Sequence, residues 1–330
     1  MARSRAPRGR VEQQLEAVRE ALREREAADA TAVLRKALAG SHGYTIGVIA
    51  DALESDDDVL LAALPDAFAR LSADPIARDA GCHGKTAIAR ALDRLERWHD
   101  DVLLAGVRWV QREPVWGGSA DTAAQLRAVC GMALVHARSG RAMVEIALLL
   151  ADAEAAPRIA AARAIAASGD RMTGEPLLRL RLALPEPEPE VTGELFAALL
   201  DLVGDEALEV VAAAMVGKDP ALADAAALAL GGSRMAGAFA LLRDSVDTTV
   251  GPARRTRLLA IALLRDTAAW AYLLDCIRNG STPLAQDAAH ALATFRHDAE
   301  LCRELQTAAA LRDDDVVTDL VAHLLDVPIT

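Results

Sequence analysis

The hydrophobic and polar positions of this chain alternate with a helical beat. In the stretch from 284 to 295, Leu284, Ala288, Ala291, Leu292 and Phe295 fall on one face, the i, i+3, i+4, i+7 spacing of an amphipathic helix. Near the other end, Leu15, Val18 and Leu22 give a first helix its stripe. Prolines punctuate the pattern. Pro157, Pro189, Pro220, Pro252 and Pro283 follow one another at steps of 32, 31, 32 and 31 residues. Each introduces an Ala/Leu-rich run, as in ALADAAALALG and LAQDAAHALATF, and a second, shorter apolar run follows. Proline fits the first turn of a helix, where its missing N–H had no partner to lose. The unit is therefore a helix–turn–helix of about 31–32 residues. One further step reaches Asp314 and Asp315, ahead of VVTDLVAHLLD. A lone hairpin cannot cover its apolar stripe, so the hairpins must stack on each other.

The earlier part keeps the hairpin pattern with looser spacing. Helices are expected at about 11–27, 29–39, 44–54, 57–72, 85–98, 100–112, 119–137 and 141–151, with ends uncertain by roughly 2–4 residues. Gly40, Gly43 and the acidic run Asp56 to Asp58 supply breaks and caps. PEPEPE at 185–190 reads as a turn between repeats. These features predict an all-α chain, a right-handed α-solenoid of stacked helix–turn–helix repeats. It divides into a basic tail at 1–10, irregular hairpins at 11–118 and regular repeats at 119–330.

The repeated hairpins resemble the HEAT (armadillo-like) family, and in particular the short Ala/Leu-rich HEAT repeats similar to those of phycobilisome lyases. The resemblance covers 150–330 well and 11–150 loosely. It implies a solenoid fold far more than a function. The segment 79–127 is also similar to an uncharacterised group of bacterial HEAT-repeat proteins, a likeness that supplies no activity.

Composition supports helices. Hydrophobic residues make up 52 % of the 330 residues and aromatics only 3 %. Strands favour β-branched and aromatic residues, whereas Ala and Leu lead the helix scale. The net charge of −12 opposes a general role on nucleic acid or an anionic membrane. The charge is uneven. Residues 1–40 hold nine Arg or Lys against six acids, and residues 151–330 hold sixteen against twenty-seven. No apolar run approaches the ~18 residues of a membrane span. The start, MARSRAPRGR, has no apolar core for a secretory signal. Cys82, Cys130, Cys276 and Cys302 are far apart, and three of them lie on apolar stripes. Reduced cysteines and a cytoplasmic setting follow most simply.

Residues 79–127 break the repeat. Trp98, Trp109 and Trp116 all fall there, and REPVWGGSAD is a loop of unusual composition between two expected helices. Local rules tend to fail at functional sites. Arg90, Arg94 and Arg97 lie near 200°, 240° and 180° from Ile88 at 100° per residue. They are opposite the apolar face and, with Arg108 and Arg112, could bind phosphate or carboxylate or simply form a solvated face. Gly84, Lys85 and Thr86 end like a phosphate-binding P-loop, but Asp79 stands where the motif needs glycine. A helix beginning at Lys85 could still hold an anion. Trp109, Gln111, Glu113, Trp116 and Asp121 form a candidate recognition cluster, with Asp121 or Ser119 as alternative helix caps.

The binding candidates are thus Lys85, Arg90, Arg94, Arg97, Trp109, Gln111, Glu113, Trp116 and Asp121. No catalytic residue and no cofactor are expected. The spacings of Cys82, His83, His99, Cys130 and His136 match no structural zinc pattern, so no metal is expected. No His-Glu dipeptide occurs, so similarity to the HEAT-repeat deoxyhypusine hydroxylases fails. The function expected is a non-catalytic scaffold that holds a protein or peptide. The alternatives are nucleic-acid backbone binding resembling the HEAT-like DNA glycosylases, or a lyase-like handler of a chromophore or cofactor. Oligomeric state stays open.

Overall fold

The computed structural model describes residues 8–27, 29–40, 42–217, 219–312 and 314–326. The basic tail expected over 1–10 lies outside the described residues at 1–7, and 8–10 belong to the first helix. The chain divides into two compact units between Ser168 and Gly169.

The first unit opens with α1 (Arg8–Arg23), α2 (Ala30–Leu38) and α3 (Gly43–Ala52). The helix expected at 57–72 is two, α4 (Asp58–Leu61) and α5 (Leu64–Ala73), because Pro65 must sit in a first turn. A short α6 (Pro75–Arg78) and a 3-10 turn at Ala80–Cys82 lead into α7 (His83–Arg94), and α8 (Asp100–Val107) follows. Both end earlier than expected. At Glu96, just after α7, the backbone turns left-handed, with φ of 55°. The loop expected at REPVWGGSAD is a β-hairpin, β1 (Arg112–Val115) and β2 (Gly118–Asp121), antiparallel with Arg112 opposite Asp121 and Val115 opposite Gly118. The helix expected from 119 accordingly starts later, as α9 (Ala124–His136). The unit closes with α10 (Ala142–Leu149) and α11 (Ala155–Ser168).

Helices α3, α7, α9 and α11 pack side by side as one layer. Small residues allow it. A Cβ on Gly84 would come within 2.6 Å of the Gly43 carbonyl oxygen and 2.7 Å of Leu71 Cδ1, so α3 and α7 cross nearly backbone to backbone. The core between the layers is aliphatic, with Ile46, Ile49, Leu71, Ile88, Leu92, Leu103, Leu126 and Leu134 sealed from solvent.

The second unit repeats one hairpin plan: α12 (Arg171–Leu182), α13 (Pro189–Val203), α14 (Leu208–Met215), α15 (Pro220–Ser233), α16 (Ala238–Val246), α17 (Gly251–Leu263), α18 (Thr267–Asn279), α19 (Thr282–Ala293), α20 (Ala299–Ala310) and α21 (Asp315–Asp326). Pro189, Pro220, Pro252 and Pro283 all sit in the first turn of their helices. Aspartates before helices take up free N–H groups: Asp219 accepts from Ala221 and Leu222, Asp266 from Ala268 and Ala269, Asp298 from Glu300 and Leu301. Arginine–aspartate pairs tie adjacent repeats, Arg257 to Asp224 at 3.0 Å and Arg254 to Asp287 at 2.6 Å. The chain is all-α apart from the hairpin at 112–121, whose strands are the only ones among the described residues.

Candidate functional site

The site begins at a sharp corner before α7. Gly81 and Cys82 take φ of 75° and 55°, the left-handed region that reverses a chain in little space. The corner folds Asp79 back over the start of α7. Asp79 Oδ1 accepts from Gly84 N at 2.7 Å, and Oδ2 accepts from Lys85 N at 3.1 Å and Lys85 Nζ at 2.8 Å. Both side chains are 0 % exposed. An anion does occupy this helix start, as free N–H groups and the helix dipole favour, but it is the chain's own carboxylate. The anion pocket considered for Lys85 is therefore already filled. Lys85 is part of the interior, its ammonium 5.4 Å from the centre of the Trp109 ring.

The hairpin base is built onto that corner. Gln111 Nε2 donates to the Asp79 carbonyl at 2.8 Å, and Gln111 Oε1 accepts from Trp109 Nε1 at 3.2 Å. Glu113 faces inward from β1. Its Oε1 accepts from Gly81 N, Gln111 Nε2 and Thr122 Oγ1, each at 2.7 Å. Burial raises the Glu113 pKa, but the Thr122, Gln111 and Gly81 hydrogen bonds and the Lys85 charge outweigh it and hold the carboxyl below its ordinary range.

Asp121 closes the other strand. Oδ1 accepts from Gln111 N at 3.1 Å and Ala123 N at 3.0 Å, and Oδ2 accepts from Arg127 Nη1 at 2.7 Å. The capping role weighed for Asp121 is thus one of three contacts, and α9 itself begins after Ala123. Arg127 also donates to the Trp109 carbonyl at 2.8 Å and grips Asp152 through both oxygens, at 2.7 and 2.9 Å. Burial raises the Asp121 pKa, while the backbone donors and Arg127 more than reverse it. A fork–fork arginine pair of this kind fixes orientation as well as charge.

At the far end of the hairpin, the strands end in a turn through Trp116 and Gly117. Gly117 has a φ of 85°, suited to glycine. Trp116 is fully exposed, and Val115 beside it is 51 % exposed.

Arg90 and Arg94 lie on α7, whereas Arg97, expected on the same helical stripe, falls past the helix end, and the three do not gather as a free patch. Arg90 bonds Asp51 at 3.2 Å, Arg94 donates to the Leu53 carbonyl at 3.0 Å, and Arg97 bonds Asp58 at 2.9 Å. They neutralise the carbonyl end of α3 and the turn after it, where a helix favours cations. Arg108 holds the buried Glu145 from α10. The structure thus joins Lys85, Trp109, Gln111, Glu113 and Asp121 in one polar network, buried at Lys85 and Gln111 and reaching solvent at Glu113, places Trp116 at the hairpin tip, and leaves Arg90, Arg94 and Arg97 paired to α3 and the turn after it.

Asp79, Thr122, Arg127 and Asp152 are further members of this network that the sequence does not single out. Arg127 had a signal, since it stands at i relative to Cys130 and Leu134 at i+3 and i+7. A charge inside an apolar stripe must find a partner within the fold. Asp152 lies 25 residues away and had none.

The chemistry available is acceptance of positive charge. A carboxyl with a lowered pKa is a poor proton carrier near neutral pH. Burial pushes the Cys82 thiol up to about 12, so it is held as a thiol and is a weak nucleophile. Among the described residues no three His, Cys, Asp or Glu side chains come together as a metal cluster, and no helix is long and apolar enough to cross a membrane.

No family model and no curated protein sequence matches the chain. Similar solved structures include the CpcE–CpcF complex of phycocyanin lyase from Nostoc sp. PCC7120, with 17 % identity over 78 % of this chain and 93 % of that one and a TM-score of 0.39. An engineered protein is similar at 15 % identity, over 96 % of this chain and 94 % of that one, with a TM-score of 0.41.

Proposed function

We propose that this chain is a non-catalytic binding protein that docks a protein or peptide partner on the Trp116 hairpin. The observation that carries the reading is a fully exposed tryptophan at the tip of a hairpin whose base is locked by buried polar bonds. An isolated two-stranded hairpin is marginal in water. Here Glu113, Gln111 and Asp121 tie both strands to the helices, so the tip is presented with little entropy left to lose on binding. Exposed apolar surface on a rigid support is what an interaction hot spot needs. A nucleic-acid role is less favoured, because Arg90, Arg94 and Arg97 each bond a carboxylate or a carbonyl and the chain carries −12.

The test is a photo-crosslinking residue at position 116, activated in the native cell. The expected product is a discrete polypeptide adduct that Trp116→Ala protein fails to retain in a pull-down. Crosslinks to nucleic acid alone, or a partner set unchanged by Trp116→Ala, would overturn the reading.

A further inference from the structure

Glu113 carries a charge that the fold does not cancel. Lys85, the nearest cation of the network, gives its ammonium to Asp79. Arg127 is shared between Asp121 and Asp152. Glu113 itself forms no ion pair. All three of its donors are neutral, and all three converge on Oε1. Oε2 receives no hydrogen bond from the protein and is not among its buried, unpartnered polar atoms, so it stays in contact with solvent.

That asymmetry sets Glu113 apart from the two other carboxylates of the site. Asp79 and Asp121 spend both oxygens on protein donors. Glu113 instead has one oxygen clamped, which fixes the direction of the other. Two residues of the clamp, Gly81 and Thr122, also line a groove of about 440 Å³ bordered by Tyr44, Val48, Asp51 and Arg90. The groove thus adjoins the residues that clamp Glu113, while Glu113 itself does not line it.

We propose that Glu113 Oε2 accepts a cationic group, an ammonium or a guanidinium, from the partner that docks on the hairpin. This rests on the docking reading above for the source of the cation, and on the geometry of Glu113 for its chemistry. Desolvated charge pairs of this kind set which partner is accepted more than how much area is buried. The clamp keeps Oε2 aimed before the partner arrives, so the pair forms without reorganising the site.

The experiment titrates the full chain with N-acetyl-arginine amide and N-acetyl-lysine amide. N-acetyl-citrulline amide and N-acetyl-norleucine amide serve as neutral shape matches. The readouts are the NMR signals of the Gly81 amide, which bonds Glu113, and of the Trp116 indole. Saturable shifts are expected with a cationic probe, weaker by about tenfold or more for its neutral match and for Glu113→Gln. The Gln variant keeps an oxygen for the three donors, and a native circular dichroism spectrum with a cooperative melt certifies its fold. Comparing the arginine and lysine arms tells guanidinium from ammonium. Equal binding by Glu113→Gln, equal binding by the neutral probes, or no saturable shift with either cation would overturn the proposal. If Trp116→Ala retains every partner while the arginine probe still shifts Gly81, the docking reading fails and the cation site stands. The opposite pair of results separates them the other way.

Discussion

Removing Asp79 should cost more than removing its partner Lys85, although the two share one ion pair. Asp79→Ala strips an ammonium that is 0 % exposed of its ion-pair partner and frees two N–H groups at the start of α7. Breaking a buried pair in this way costs about 3–5 kcal/mol. Lys85→Met leaves a side chain of similar length and apolar character. Asp79 then keeps both backbone donors and the helix dipole, so the loss should be nearer ~1–3 kcal/mol. The double variant Asp79→Asn with Lys85→Met should be less damaged than Asp79→Ala alone, because neither charge is stranded. The assay is urea unfolding followed by tryptophan fluorescence in a Trp270→Phe background. Trp98, Trp109 and Trp116 then report the first unit alone. At a slope of roughly 2 kcal/mol per molar urea, Asp79→Ala should lower the midpoint by about 2 M. A loss under ~1 kcal/mol for Asp79→Ala, or a larger loss for Lys85→Met, would refute the view that Asp79 is the anchor.

Three further outcomes are expected. Trp116→Ala should leave the urea midpoint of the first unit within ~0.5 kcal/mol of the parent, since the ring is fully exposed and an exposed site contributes little; a large drop would show that the ring packs. Glu113 and Asp121 have pKa values lowered in the folded state. Their contribution is present above the unfolded values of about 4.3 and 3.9 and is lost as pH falls through the lower folded values. Acid unfolding of the first unit should therefore steepen below about pH 4, and Glu113→Gln should flatten that limb without abolishing it, because Asp121 remains. Gly84→Val should prevent folding of the first unit, as circular dichroism and proteolysis would show, because a Cβ at 2.6 Å from the Gly43 carbonyl oxygen meets backbone that cannot move aside.

The helices were legible because periodicity and proline placement act locally. Pro220 and Pro283 open α15 and α19 as their spacing implies. The hairpin was not legible. REPV and GSAD lack an alternating apolar pattern, and their strand form is held by Glu113, Gln111 and Asp121 reaching the helices. Tertiary bonds outweighed local preference there. Arg90 and Arg94 were legible as a stripe on α7, whereas Arg97 falls past the helix end, and the partners of all three, Asp51, Leu53 and Asp58, lie 39–41 residues earlier. Helical spacing reports which face a charge occupies and says nothing of what sits opposite. Lys85 misled for the same reason. GKT reads as a phosphate cradle until Asp79 is seen to occupy it.

The filled cradle also explains why the site lies where it does. With its first N–H groups satisfied by Asp79, α7 presents no vacant positive end. The corner at Gly81 turns another N–H outward, to Glu113. One short loop thus serves two carboxylates with opposite fates. Asp79 is neutralised by Lys85 inside, and Glu113 remains charged at the surface with one oxygen fixed. Burying the first pair stiffens the corner, and the stiff corner orients the second carboxylate. Arg127 does the same for β2 by clamping Asp121 against Asp152. On the proposed docking reading, stability and recognition are divided between residues that share a backbone turn. Variants at Asp79 or Arg127 should lose partner binding only together with the fold, whereas variants at Glu113 or Trp116 should lose binding from a folded chain.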